Sequence, residues 1–166
     1  GENSNELCEL IRNDMVKEFI LYINKNNISH NAIIQPSIYE TNSFLLKKHK
    51  KSVESQLRQQ YYLTNDGCTL IEYAAFFGSI QIFNYLKHKC AKLTPSLLLF
   101  AIHGQNAEMI QFLEDNHAEL DDESNKQCFY ESIKCHNNEI ANYFRNNFLH
   151  VDKEYQKKYN YSKSKV

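Results

Sequence analysis

The 166 residues carry a net charge of −1, from 19 Lys and Arg against 20 Asp and Glu, with 42% hydrophobic and 23% charged residues. That balance marks a globular chain of one-domain size and excludes both a disordered segment and a chain drawn by its overall field to nucleic acid or an anionic membrane. Four glycines (Gly1, Gly67, Gly78, Gly104) and two prolines (Pro36, Pro95) are too few for the tight turns of a sandwich or barrel, so the expected fold class is all-α with an essentially absent sheet.

In chain order, Leu7-Cys8-Glu9-Leu10-Ile11 and Asp14 to Ile23 predict a first helix pair, with Val16, Phe19, Ile20 and Ile23 on one face. Pro36-Ser37-Ile38-Tyr39-Glu40 aligns with Pro95-Ser96-Leu97-Leu98-Leu99 and opens a second unit, where Ser37 and Glu40 have capping-box spacing. The basic run Lys47-Lys48-His49-Lys50-Lys51 and a polar stretch then lengthen that unit, and the run reads as a solvated loop between helices.

From residue 65 onward the chain repeats. A shift of 27 places Thr69–Ala75 on Ser96–Ile102, and Ile82-Phe83-Asn84-Tyr85-Leu86 on Met109-Ile110-Gln111-Phe112-Leu113. A further shift of 31 carries Asn106-Ala107-Glu108-Met109 onto Asn137-Asn138-Glu139-Ile140, the extra residues falling in the acidic loop around Asp121–Ser124. Each unit predicts two short antiparallel helices, a first that is apolar on most sides and an amphipathic second. The second helices have Ser79, Asn106 and Asn137 as N-caps, and helix starts are expected near residues 69, 79, 96, 106, 128 and 137. Five units result, near 5–35, 36–64, 65–91, 92–122 and 123–150, forming one domain over 1–150 with a polar, Lys-rich tail over 151–166.

Gly67-Cys68-Thr69-Leu70-Ile71-Glu72-Tyr73-Ala74-Ala75-Phe76-Phe77-Gly78-Ser79 resembles the ankyrin repeat at Gly67, Thr69, Ala74, Ala75 and Gly78, and Thr94-Pro95 begins the next unit in the same manner. Together with Cys8–Asp14, the run is most similar to a divergent ankyrin-like family of unknown function expanded in some protists. The Pro and His of the ankyrin pattern are Leu70 and Glu72 here, so the hydrogen bonds that His makes between repeats are absent, and the short period predicts trimmed or absent β-turn fingers. The resemblance implies an ankyrin-like helical repeat solenoid that binds proteins through a concave groove, with Ala74 and Ala101 in the small-residue position of the first, inner helix. It also places Phe76-Phe77, and the aligned pairs Phe44-Leu45, His103-Gly104 and Lys134-Cys135, at the groove end of the inner helices. The expected partner-binding residues are therefore Phe44, Leu45, Phe76, Phe77, His103 and Lys134.

Catalysis is not expected. The glycines lie singly and cannot cradle phosphate. His88-Lys89-Cys90 and Cys135-His136 lack zinc-site spacing, and no third group orients a Cys–His nucleophile. No cofactor, metal or small-molecule substrate is implied. The alternative partner is a nucleic acid or phospholipid, met by Lys47, Lys48, Lys50 and Lys51 and the basic tail, although the balanced charge disfavours nucleic acid. Five scattered cysteines, no apolar run of membrane-spanning length and no apolar signal core near Gly1 point to a cytoplasmic protein, with a nuclear location also open.

Overall fold

The computed structural model describes residues 5–34, 44–45, 48–51, 61–64, 67–90, 94–116 and 121–148. The fold is mostly helical. Eight helices are described: α1 (Glu6–Arg12), α2 (Val16–Lys25), α3 (Leu70–Phe77), α4 (Ile80–Cys90), α5 (Pro95–His103), α6 (Ala107–Asp115), α7 (Asp122–Lys134) and α8 (Asn138–Asn147). The chain divides into two compact units, residues 1–119 and 120–166.

Within the first unit, α1 packs on α2, α3 on α4, and α5 on α6. Helix α3 also lies against both α1 and α5, which makes it the most enclosed of the three first helices. Its burial follows: Leu70, Tyr73, Ala74 and Ala75 are inaccessible, and all of Leu97–Ile102 in α5 is buried. The second helices are amphipathic as expected, and α4 buries Ile82, Phe83 and Leu86 where α6 buries Met109, Ile110 and Leu113. The faces of α4 and α6 meet through Phe83 and Phe112, edge to face at 5.8 Å, and through Lys87 Nζ donating to Asn116 Oδ1. In the second unit α7 packs on α8, with Cys128, Ser132 and Phe144 fully buried.

One backbone turn recurs in all four helix pairs. Asp14, Gly78, Gln105 and His136 each take a positive φ, between 49° and 72°. The amide after each donates five residues back, from Met15 to Leu10 O, Ser79 to Ala74 O, Asn106 to Ala101 O and Asn137 to Ser132 O. This Schellman-type closure satisfies the end of one helix while delivering the residue that starts the next. The last three turns are spaced by the same 27 and 31 residues as the sequence repeat. Asn106 and Asn137 cap α6 and α8 as expected, accepting from Met109 N and Ile140 N.

Ser79 does otherwise. Its hydroxyl donates to Ile11 O at 2.5 Å, and the start of α4 is capped by Asp14, whose carboxylate accepts from Gln81 N at 3.0 Å and Ile82 N at 2.9 Å. A carboxylate at a helix start is favoured by the dipole, and the turn between α1 and α2 brings one there. These bonds set α1–α2 directly against α3–α4. Most of the unit expected near 36–64 lies outside the described residues, its proposed start at Pro36–Glu40 included, as do Lys47 and the tail 151–166.

The expectation of an absent sheet is corrected in two places. Strand β1 (Ile33–Ile34) pairs antiparallel with β4 (Cys68–Thr69), and β2 (Lys48–Lys51) pairs antiparallel with β3 (Tyr61–Thr64). Lys48–Lys51 of the basic run thus form a strand, their backbone paired with a β-branched and aromatic partner, Tyr61-Tyr62-Leu63-Thr64. Gly67 allows the first pairing: a Cβ there would stand 2.2 Å from Ile34 O. Helix α7 begins six residues before the expected position, because Asp121 caps it through Ser124 N and Asp122 and Glu123 form a favourable acidic first turn.

Candidate functional site

The inner-helix ends of the first unit carry the side chains expected to form a groove. Thr69 and Glu72 fix the start of α3 through a capping box: Glu72 Oε2 accepts from Thr69 N at 2.8 Å, and Glu72 N donates to Thr69 Oγ1. Glu72 stands where the ankyrin pattern has His, and its buried carboxylate serves the cap. Gly78 ends α3 at a φ of 72°, and Gly104 brings the end of α5 so close that a Cβ would stand 1.8 Å from Phe76 O. The C-terminal ends of α3 and α5 therefore touch.

Phe76 and Phe77 diverge as consecutive helical positions must. Phe76 is buried and Phe77 is half-buried. The Phe77 ring rests 4.7 Å from Tyr73 and 5.0 Å from Phe76, centroid to centroid, and the Arg12 guanidinium lies over its face at 5.9 Å. Arg12 Nη1 also donates to the Tyr73 hydroxyl at 3.0 Å. Burial, reinforced by the neighbouring Cys8, pushes the Tyr73 phenol well above its ordinary range, against the opposing pull of Arg12. Arg12, Tyr73 and Phe77 thus form a cation-and-aromatic cluster in which Phe77 is partly exposed.

Phe44 stacks on half-buried His103 with ring centroids 3.7 Å apart and planes 13° from parallel, and meets Phe100 edge to face at 4.7 Å. Phe44 and Leu45 are both buried. They were expected to be groove residues on an inner helix of their own. They lie instead in a turn between α2 and α3, and Phe44 packs on Phe100 and His103 of α5. Of the expected partner-binding residues, Phe44, Leu45 and Phe76 are buried, while Phe77 and His103 keep partial access. Lys134 belongs to the second unit, is exposed, and pairs with Glu131 at 2.6 Å. Lys48, Lys50 and Lys51 lie in β2.

The sequence reading passed over Arg12. It precedes its positive-φ turn residue by two positions, as Phe76, His103 and Lys134 precede theirs, and that register would have found it. No three His, Cys, Asp or Glu side chains gather as a metal site among the described residues. Cys135 is a weak nucleophile, because burial and then Glu131 push its thiol up. No described helix is long and apolar enough to cross a membrane. No protein family, curated protein or solved structure matches the chain.

Proposed function

We propose that the protein is an ankyrin-like repeat solenoid of the divergent family it resembles, and that it binds a protein partner without catalysing a reaction. The recurring turn at Asp14, Gly78, Gln105 and His136 supports the repeat, since one backbone solution serves four helix pairs. Half-open Phe77 beneath the Arg12 guanidinium carries the functional reading. An aromatic face beside an arginine is the composition of a binding hot spot, and both stand on rigid helix ends. The partner segment best suited to it presents an apolar or aromatic anchor for the Phe77 ring. The thiols of Cys8, Cys68 and Cys128, buried and outside any disulfide, suit a reducing, cytoplasmic setting.

The test is affinity capture from a native lysate with the intact chain and with Phe77→Ala and Arg12→Ala variants. Phe77 makes the sharper probe, because Arg12 also supports Tyr73. The expected result is one or more proteins retained by the intact chain and lost with Phe77→Ala, while circular dichroism shows both proteins folded. Unchanged retention by folded Phe77→Ala would remove the reading.

A further inference from the structure

The first helices of the four pairs can be compared position by position through the recurring turn. Three residues before the positive-φ residue stand Ile11, Ala75, Ile102 and Ile133. The first three are 0% exposed and Ile133 is 42% exposed. Six residues before it stand Cys8, Glu72, Leu99 and Tyr130. The first three are at most 7% exposed and Tyr130 is 56% exposed. In α3 these positions lie in the helix packed between α1 and α5. Helix α7 thus presents large apolar side chains at the two positions where the other first helices are covered. Tyr130 and Ile133, three residues apart, lie on one face of α7.

The charges beside them indicate what covers this face. Glu123 pairs with Lys126, and Glu131 with Lys134, each three residues apart along α7. When a second α7 is laid antiparallel across a two-fold axis passing between Cys128 and Phe129, Glu123 comes level with the partner's Lys134, and both side chains are exposed on the flank of the Tyr130 face. The apolar side chains then follow one another along the seam as Ile133, Tyr130, the partner's Tyr130 and the partner's Ile133, at even steps of about 4.5 Å for a rise of about 1.5 Å per residue. One register satisfies both the charges and the apolar steps, which is the self-complementarity that an isologous contact demands.

We propose that α7 is a homodimerisation surface, closed by the α7 of a second copy around Tyr130 and Ile133 and held in register by Glu123 and Lys134. A 13-residue helix offers a face well below the roughly 800 Å² per partner of a standard stable interface, so the dimer is transient and concentration-dependent.

Sedimentation equilibrium of the full chain from about 5 to 500 µM tests this. The expected result is a mass rising from 19.6 kDa towards twice that value. Ile133→Glu and Tyr130→Glu should each hold the chain at monomer mass, with an unaltered helical spectrum because both side chains are exposed. Lys134→Glu should weaken association about tenfold, and adding Glu123→Lys to it should restore most of the affinity, since the second change re-pairs the charges only across the axis. A monomer mass at every concentration overturns the proposal, whether residues 151–166 or a different protein covers α7. A dimer indifferent to Tyr130→Glu and Ile133→Glu, or a charge pair without rescue, overturns the assignment to this face.

Discussion

Ala74 and Ala101 occupy positions where the first helices admit only a methyl group, and both are inaccessible. Leucine at Ala74 overfills the space α3 shares with its neighbours, and the expected cost is about 1–3 kcal/mol, read as a lower urea midpoint. An unchanged midpoint would place the helix in a different register. Gly104 is constrained by contact and not by conformation: its φ of −75° is ordinary, but Phe76 O blocks any side chain. Tyr73 adds a pH dependence. Its phenol titrates higher in the folded chain than its ordinary value near 10, so above pH 10 the unfolded chain releases this proton first. Stability is full below pH 10 and falls as pH rises beyond it. Tyr73→Phe should flatten that fall in denaturation curves measured between about pH 9 and 11. At this scale the sequence was informative about size and poor about exposure. Helical geometry required Phe76 and Phe77 to diverge, and they do, but which ring turned inward depended on the approach of α5 at Gly104.

The helices themselves were legible because their information is local. The starts expected near 69, 79, 96, 106 and 137 lie within one residue of those of α3, α4, α5, α6 and α8. The start of α7 was misread because Asp121-Asp122-Glu123 looks like a solvated loop, while the same acidic residues favour the N-terminus of a helix. The strands escaped notice for another reason: β1 and β4 have two residues each, too short for alternation to register. Asp14 was also hidden, since it caps a helix far from it in sequence. Asp14→Ala should cost about 1 kcal/mol by uncapping α4, with Asn retaining most of the stability, since its side-chain oxygen can still accept the N-terminal amides. Thermal unfolding of the two variants side by side checks this, and equal losses for Ala and Asn would assign the effect to charge instead of capping.

Across the whole chain, the residues expected to form the groove do not share one exposure. Helix α1 is a neighbour of α3, and Phe44, in the chain between α2 and α3, meets Phe100 of α5 edge to face. Phe44 and Leu45 are buried in a turn outside the described helices, where helical periodicity carries no information about exposure. The net charge of −1 is balanced only in total, since Lys47–Lys51 and the tail are locally basic, and salt dependence separates the two kinds of partner. Contact through Phe77 and Arg12 engages one cation and an aromatic face, and it releases few counterions. Contact through Lys47, Lys48, Lys50, Lys51 and the basic tail would neutralise several phosphates, and the slope of log affinity against log salt would approach −0.9 for each on duplex DNA. Raising salt from about 50 to 200 mM should therefore leave capture of a protein partner by the intact chain within a fewfold of its starting level. Loss by about a thousandfold would be the signature of phosphate contacts. Replacing the four lysines by glutamine separates the two readings a second time: retention is expected to persist in that variant and to vanish in Phe77→Ala, and the reverse pattern would transfer the function to the basic strand.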